Sequence, residues 1–256
     1  MSRRTALTAI GGVGLGVLLA ACERGDAGGP VTTAEVPTTT GGQATVQPQL
    51  PPDAGLAEVL DAAATCELAP QAIEGPFWFP PDAIRSDLRE DREGVPLRLV
   101  VRVQDAECVP LPGAAVDVWS CDAVGLYSGF ESVITGGGGP EEDQGTYLRG
   151  VQVTGEDGVA QFTTVYPGWY PGRAVHLHCK VHTDDQTVLT AQLYVDDAIT
   201  DRVHEMPPYA ARQGGRRTTN AEDVFFNTEG GDRTTLAMSE QPDGWLGAIT
   251  LGVQAS

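Results

Sequence analysis

The chain has 256 residues, a formal net charge of -19 and 41% hydrophobic residues. That length fits one domain of ordinary size with appendages, and the apolar content is enough for a packed core. The strongly acidic balance argues against nucleic acid or an anionic membrane surface as the partner and is typical of a soluble protein outside the cell.

Residues 1–21 predict an export signal. They open with MSRRTAL, whose Arg-Arg pair resembles a twin-arginine signal, although Ala6 stands where a bulky apolar residue is usual. An apolar run follows that is too short to span a bilayer comfortably. It ends in LAAC, which resembles a bacterial lipobox, so we expect lipidation at Cys22 and anchoring to the extracellular face of the cell membrane. A plain secretory signal is the alternative.

The next segment predicts a tether rather than a folded unit. Residues 23–52 are rich in Gly, Thr, Pro and Gln, and they bury too little apolar surface to offset the entropy lost on ordering. We therefore expect the lipidated N-terminus and a flexible linker over 22–62, with one short helix at 54–64. The folded domain is expected over 63–256.

Four cysteines belong to that domain: Cys66, Cys108, Cys121 and Cys179. After export they would lie in an oxidising compartment, where disulfides persist. Four cysteines allow three connectivities, and the sequence does not choose among them. Cys179 stands in an apolar set on its strand, so a buried thiol is the alternative there.

From Pro96 onward the apolar residues alternate with period two, which predicts β-strands. The expected strands are 97–104, 115–121, 159–165, 174–182, 188–195 and 245–253, the last preceded by a hairpin turn at QPDG. Closely spaced strands with little helical periodicity predict an all-β fold, a β-sandwich of mostly antiparallel strands with long loops and at most short helices. The Gly-rich stretch 135–145 is expected to be a mobile loop. No P-loop or dinucleotide fingerprint is present.

The strand at 174–182 carries two histidines one residue apart. Alternate residues share a face, so an apolar face is expected opposite a polar face formed by His176, His178, Lys180 and His182. One interpretation is an ordinary half-buried strand whose polar face lies in water. The other is a metal site, because the side chains of His176 and His178 can converge on one ion. The spacing alone allows zinc, copper, iron or manganese.

Two imidazoles leave a metal at least two ligands short, and the nearby candidates are tyrosines rather than carboxylates. Tyr166 and Tyr170 stand just upstream, and Tyr127 ends the preceding strand–turn unit. A phenolate is a hard anionic donor, so two phenolates with two imidazoles suit ferric iron better than zinc. Tyrosine titrates near pH 10, and only a strongly charged ion keeps two of them ionised at neutral pH. A zinc or copper site would need further His or carboxylate ligands.

Five stretches resemble the intradiol ring-cleaving dioxygenases, in particular their secreted bacterial and fungal branch. They are CELAPQAIEGPFW, IRSDLRE, PLPGAAVDVWSCDAVGLYSGF, TYLRGVQVTGEDGVAQFTTVYPGWYPGRAVHLHCKV and LTAQLYV, in the family's order over most of residues 66–195. The resemblance implies a non-haem Fe(III) enzyme with a β-sandwich core, similar to the catalytic domains of protocatechuate 3,4-dioxygenase and catechol 1,2-dioxygenase. Such enzymes open catechols between the two hydroxyls with O2, giving cis,cis-muconate-type products.

Carried over residue by residue, the resemblance implies one Fe(III) held by Tyr127, Tyr170, His176 and His178. Tyr170 is the ligand that leaves and accepts a proton from the substrate. Tyr166 is expected to be an ordinary aromatic residue of the sheet, and His182 to lie outside the ligand set. Ser120 stands where the secreted branch often has histidine, beside the ligand turn.

The resemblance also assigns roles to residues that do not bind the metal. Arg173 would stabilise negative charge on the ring, and Gln192 would orient the ring or the oxygen species, although Ala191 replaces the usual threonine before it. Gly75, Pro76 and Phe77 match a segment beside the substrate pocket. If the resemblance were set aside, Arg173 would read as a surface cation and Gln192 as an amide at the edge of the core.

The expected partners are a catechol-type substrate and O2, with no nucleic acid and no membrane contact except through a lipid anchor. A monomer or a small homo-oligomer is expected. The residues do not identify which catechol is bound. A different class of function also remains open, a non-catalytic exported lipoprotein that binds aromatic or carbohydrate ligands on a similar sandwich.

Overall fold

A computed structural model describes residues 34–37, 43–46, 59–61, 63–80, 84–131, 145–183, 186–212 and 217–254. The predicted export signal and lipid site at 1–22 lie outside the described residues, as does all of the predicted loop 135–145 except Gly145. Of the predicted helix at 54–64, residues 59–61 and 63–64 are described, and of these 59–61 are helical. None of the described helices is both long and apolar enough to cross a bilayer.

The described part is mostly β-structure with a few short helices. The strands are β1 (Ala34–Pro37), β2 (Gln43–Val46), β3 (Pro96–Gln104), β4 (Ala115–Trp119), β5 (Arg149–Val153), β6 (Val159–Val165), β7 (His176–Thr183), β8 (Gln186–Tyr194), β9 (Ala237–Gln241) and β10 (Gly244–Gly252). The α-helices are α1 (Asp197–His204) and α2 (Val224–Thr228), and 3-10 turns cover Tyr209–Ala211, Asn220–Glu222 and Gly231–Thr234. The prediction of an all-β fold is confirmed.

Two four-stranded sheets form the sandwich, in the orders β6-β3-β10-β9 and β5-β4-β7-β8. Every pairing within them is antiparallel except that of β10 with β3, which is parallel. The inner faces meet in one apolar core, to which β3 contributes Leu97, Leu99, Val101 and Val103 and β7 contributes Leu177, Cys179 and Val181. These are the alternating apolar residues of each strand, so burial of one face is what drives the two sheets together.

Four strands, β1, β2, β5 and β9, and both helices were not expected from the sequence. In β5, Gly150 interrupts the apolar alternation, and an added Cβ there would lie 2.5 Å from Leu88 Cδ2, so the Leu88 side chain would have to move to accept one. Helix α1 is capped by Asp196, whose side chain accepts from Ala198 N, and α2 is capped by Asp223. Such short capped helices leave too little periodicity to detect.

The segment predicted to be a flexible linker contains an antiparallel hairpin, in which β1 pairs with β2 from Ala34↔Val46 to Pro37↔Gln43. Both strands are short and contain valine, which favours extended backbone. The composition of the segment as a whole, dominated by Gly, Thr and Pro, conceals this local preference.

The cysteines adopt none of the three connectivities that use all four residues. Cys66 and Cys108 form a disulfide with their Cα atoms 5.2 Å apart. Cys121 and Cys179 are buried free thiols, so the alternative prediction for Cys179 is confirmed. The disulfide ties residue 66, at the start of the segment that leads to Gly75, to the β3–β4 connection.

Candidate metal centre

Both faces of β7 are buried. His176, His178, Lys180 and His182 on the polar face are 2%, 1%, 4% and 4% exposed. The interpretation of this strand as half-buried, with its polar side in water, is therefore wrong. Burying four polar side chains on one face of a strand costs folding free energy unless each has a hydrogen-bonding or charged partner. The residues that cover this face therefore determine its chemistry.

Four donor atoms converge above this face. Tyr127 Oη lies 3.0 Å from His178 Nε2, which lies 3.2 Å from His176 Nε2. His176 Nε2 lies 3.1 Å from Tyr170 Oη, and Tyr170 Oη lies 3.4 Å from Tyr127 Oη, which closes the ring. Metal–nitrogen bonds of about 2 Å place neighbouring ligand atoms roughly 3 Å apart, so the four donors are spaced as the ligands of one ion would be.

The histidines are held in the form that binds a metal. His176 Nδ1 donates to the carbonyl of Ala174 at 2.7 Å, which leaves the lone pair of Nε2 directed at the other donors. Burial lowers the pKa of His176 to about 3. Burial, with the neighbouring His176 as the next cause, lowers the pKa of His178 well below its usual value. The His178 ring also stacks on Trp119, with centroids 4.7 Å apart and planes 7° apart.

The tyrosines show why this donor set suits a strongly charged cation. Burial raises the pKa of Tyr127 and Tyr170 well above the ordinary value, so the phenols stay protonated without a nearby positive charge. A ferric ion would reverse that balance and hold both as phenolates. Tyr166 is not part of the set, because its Oη lies 2.7 Å from Thr200 Oγ1. Among the described residues, no three His, Cys, Asp or Glu side chains are placed to share an ion.

Arg173 and Gln192 meet beside the donors. Arg173 Nη2 donates to Gln192 Oε1 and, at 3.2 Å, to Tyr194 Oη. Gln192 is fixed from its other end, because its Nε2 donates to the carbonyl of Ile73 at 3.2 Å. Tyr194 Oη donates to Gln192 Oε1 at 3.1 Å. The guanidinium is therefore neither a free surface cation nor isolated in the core.

Two residues that sequence reasoning missed hold Arg173 from the other side. Asp223 Oδ2 accepts from Arg173 Nε at 3.0 Å, and the Phe225 ring lies 4.5 Å from the guanidinium carbon. Asp223 stands fifty positions after Arg173. Only a capping signal, an aspartate just before an apolar stretch, marked it in the sequence.

The predicted pocket segment lies against the donors. The Phe77 ring stacks on Tyr127 with centroids 4.6 Å apart and meets Tyr170 edge-on at 6.4 Å. Gly75 has φ +76°, and an added Cβ would lie 3.4 Å from His178 Cε1. Gly75 thus supplies both a left-handed turn and a close approach to a donor ring. Pro76 stands between them, in the turn at 76–77, and is exposed.

A network of charged residues continues the site along β7. Lys180 Nζ forms an ion pair with Glu74 and lies 3.3 Å from the centroid of the Trp78 ring. Trp78 Nε1 donates to Asp117 Oδ2 at 2.9 Å. These contacts attach the segment around Gly75 to β4 and β7, and they leave none of its buried charges without a partner.

Comparisons with known proteins agree with this geometry. A family model described as Dioxygenase matches residues 73–214. Catechol 1,2-dioxygenase 1 of Acinetobacter lwoffii is 27% identical over 193 residues, which cover 62% of this chain and 60% of that protein. The chain therefore spans less than two thirds of the length of this relative.

Two solved structures are similar over most of their own length. An intradiol ring-cleavage dioxygenase from Tetranychus urticae is 33% identical with a TM-score of 0.69, over 74% of this chain and 95% of that one. The dioxygenase domain of a dioxygenase carbohydrate-binding protein fusion from Streptomyces sp. SirexAA-E is 26% identical with a TM-score of 0.55, over 74% of this chain and 100% of that one.

Proposed function

We propose that this chain, which belongs to the intradiol ring-cleavage dioxygenase family, uses one non-haem Fe(III) and O2 to cleave catechol-type rings between their two hydroxyls. The observation that carries the proposal is the ring of two phenol oxygens and two imidazole nitrogens with edges between 3.0 and 3.4 Å. The products would be cis,cis-muconate-type diacids. Catechol, chlorocatechol and hydroxyquinol are the first substrates to test, because relatives of the chain are named for them.

The proposed ligands are Tyr127, Tyr170, His176 and His178. Ferric iron bound there would supply Lewis acidity and a template for the two catechol oxygens. Tyr170 is the better placed phenol to release its position and take up a substrate proton at Oη, since it is 7% exposed whereas Tyr127 is 0% exposed. Tyr127 is also covered by the stacked ring of Phe77, which favours a permanent ligand.

Arg173 and Gln192 act on the substrate rather than on the metal. The guanidinium keeps its positive charge at any physiological pH, and its side chain is 13% exposed, so its charge acts in a poorly hydrated site. It is therefore suited to stabilise negative charge on the deprotonated ring. Gln192, held between Arg173 and the carbonyl of Ile73, would fix the side on which the ring lies.

Aromatic side chains would exclude water from the ring. Phe77 lies edge-on to Phe130, with centroids 5.1 Å apart, and both belong to or pack against the cluster around the two donor tyrosines. A flat apolar wall beside two polar donors suits a single-ring catechol, whose polar edge faces the donors and whose apolar face meets the wall.

Iron analysis with a visible spectrum of the purified full chain tests this proposal. We expect about one ferric ion per chain and the colour of tyrosinate-to-iron charge transfer, because the donor set is Tyr2His2. Catechol in air should then be consumed together with O2. A colourless, iron-free protein that stays inactive after iron is supplied in air would overturn the proposal and favour a binding protein instead.

We also propose that the protein is exported and is held at the extracellular face of the membrane by a lipid on Cys22. The support is the LAAC sequence after a basic and apolar start. Cys22→Ser should move the protein from the membrane fraction to the soluble fraction without changing ring cleavage, because the lipid supplies the anchor. A variant that stays in the membrane fraction would contradict lipid anchoring.

A further inference from the structure

We propose that Asp223 is a positioning residue for ring cleavage, because its carboxylate sets the orientation of Arg173 and fixes the backbone that leads into His176. The inference rests on the proposed function, since it gives Asp223 a role through residues assigned to that reaction. It adds a residue that does not touch the donor atoms and stands outside every sequence stretch that resembles the family.

Both oxygens of the Asp223 carboxylate are fully used. Oδ2 accepts from Arg173 Nε at 3.0 Å and from Ala174 N at 2.8 Å. Oδ1 accepts from the backbone N–H groups of Phe225 and Phe226 at 2.8 and 3.4 Å. The side chain is 0% exposed. A buried carboxylate with four donors has one orientation available to it, so it can transmit that orientation to its partners.

The first consequence concerns which part of the guanidinium remains for substrate. Asp223 takes Arg173 Nε, and Gln192 with Tyr194 takes Nη2. Among the described residues, no hydrogen-bond partner is placed for Nη1. The planar fork of arginine fixes all three nitrogens once two are held. Asp223 thereby determines where Nη1, the nitrogen left for a substrate anion, is directed.

The second consequence concerns a proposed metal ligand. Ala174 donates its N–H to Asp223 Oδ2, and its carbonyl accepts from His176 Nδ1 at 2.7 Å. One residue of backbone thus separates the carboxylate from the hydrogen bond that sets the tautomer of His176. Asp223 joins the cation that acts on the substrate to the strand that supplies two ligands.

The Phe225 ring completes the support. It lies 4.5 Å from the guanidinium carbon of Arg173, and its own backbone N–H is held by Asp223. The carboxylate therefore places the ring that covers the arginine as well as pairing with the arginine itself. Without the carboxylate charge, the guanidinium would keep the Phe225 ring and its hydrogen bonds to Gln192 and Tyr194. Those acceptors are neutral, so the bonds to them are weaker than a bond to a carboxylate.

A double-mutant cycle in the iron-loaded full chain tests the proposal, with Asp223→Asn measured alone and combined with Arg173→Leu. The side-chain oxygen of asparagine can still cap α2. The NH2 group that replaces Oδ2 carries no charge and cannot accept a hydrogen bond from Arg173 Nε. We expect Asp223→Asn to lower kcat/KM by about 10- to 100-fold alone and by no more than about twofold beside Arg173→Leu, since a residue acting through Arg173 has nothing further to lose. Iron content and the visible spectrum without substrate should stay close to those of the parent.

Asp197→Asn is the matched control. Asp197 also joins an arginine, Arg217, to a backbone N–H, that of Asn220 at 3.0 Å, but it does so at α1. Its side chain is 34% exposed, so Asp197→Asn should lower stability by less than Asp223→Asn does and should leave kcat/KM unchanged. Equal losses for Asp223→Asn in the two Arg173 backgrounds would assign Asp223 to the fold and overturn the proposal, as would full activity of Asp223→Asn.

Asp223→Ser provides a second measurement if Asp223→Asn does not fold, because a serine hydroxyl also caps a helix but lacks the charge. Failure of both variants to fold would make Asp223 a structural residue and overturn the proposal. A failure of the proposed function itself is distinguishable, since it would appear in the parent chain as missing iron or missing ring cleavage before any variant is compared.

Discussion

The two sheets of the sandwich have the same number of strands and similar apolar inner faces, but their outer faces differ. Outside β3, Arg98 is exposed and Arg102 is half-buried. Val100, Leu246 and Ala248 form a small apolar cluster there that is covered by Leu60. Gln104 and Thr250 on the same face are also buried. Outside β7, His176 through His182 are buried although each alternate residue is polar.

The difference shows that the alternation of apolar and polar residues decides which face of a strand packs into the core. The segments that fold over the other face decide whether its polar side chains are in contact with water. The outer face of β7 is closed by Phe77, Tyr127 and Tyr170, which pack together as a separate cluster. A face withdrawn from water strengthens its electrostatic interactions. The same strand pattern leaves the arginines outside β3 exposed or half-buried and places a buried set of polar donors outside β7.

Among the variants that test this difference between the two outer faces, loss of a proposed metal ligand should have the largest effect. His178→Ala should abolish iron binding and ring cleavage, a loss of about 10³-fold or more, because metal catalysis depends on a complete donor set. The β-rich fold should remain, since the core lies on the opposite face of β7. Iron content, activity and circular dichroism measure the three expectations.

His182→Ala is the matched control on the same buried face. Its ring bonds Thr187 Oγ1 at 3.0 Å rather than the four donors, so iron and activity should be retained. If His182→Ala also loses iron, the ligand set is wrong, and the buried face of β7 as a whole rather than four chosen residues holds the metal.

The sequence predicted those parts of the molecule that are determined by residues close together along the chain. The strand prediction 159–165 coincides with β6, because alternation over seven residues is a complete signal. The four donors were identified through the resemblance, in which Tyr127 and the residues of the PGWYPGRAVHLH stretch stand close to recognisable neighbours. In the structure, neighbouring atoms of these four donors lie between 3.0 and 3.4 Å apart.

What could not be predicted depends on contacts between remote residues. Trp78 reaches Asp117 across 39 positions and Lys180 reaches Glu74 across 106. The polar face of β7 is buried only because these segments fold over it, and no local pattern reports that. Asp223 was missed for the same reason, since Ala174, one of its partners, lies 49 positions earlier.

The next largest effect is expected for a substitution in the core between the two sheets. Leu177→Ala should lower the free energy of unfolding by about 2–5 kcal/mol, as removal of a fully buried leucine does, because Leu177 is 0% exposed between the sheets. Leu246→Ala, on the outer cluster and 6% exposed, should cost less. Denaturant unfolding of the two variants measures the difference, and an equal or larger loss at Leu246 would contradict the ranking of the two faces.

The stability of the fold should depend on pH through Asp117, a buried carboxyl on the outer face of β4. Burial raises the pKa of Asp117 from 3.8 to about 6, against the opposing hydrogen bond from Trp78 and the charge of Lys180. The folded chain therefore keeps this proton while the unfolded chain releases it, so the group's contribution is present below pH 3.8 and is lost as the pH rises to about 6. The change is roughly 2–3 kcal/mol.

Asp117→Asn should remove that change, because an amide does not titrate while its oxygen still accepts from Trp78. The free energy of unfolding of the variant, minus that of the parent, should rise between pH 4 and pH 6 and stay level above it. Urea titrations at several pH values measure this difference. A difference that is flat across the range would mean that Lys180 and Trp78 keep Asp117 ionised, and that the outer face of β4 is less dry than its burial indicates.

The smallest effect is expected where an ion pair lies in water. Arg202 and Glu240 are 2.5 Å apart, with side chains 58% and 61% exposed. A double-mutant cycle of Arg202→Ala and Glu240→Ala should give a coupling energy below about 1 kcal/mol that shrinks further in high salt. Lys180→Met with Glu74→Gln should give a larger, less salt-sensitive coupling, because Lys180 is 5% exposed and a buried cation deprived of its partner is costly. If the two couplings were equal, the cover over β7 would admit as much water as the open edge of the other sheet, and the contrast between the two outer faces would lose its electrostatic basis.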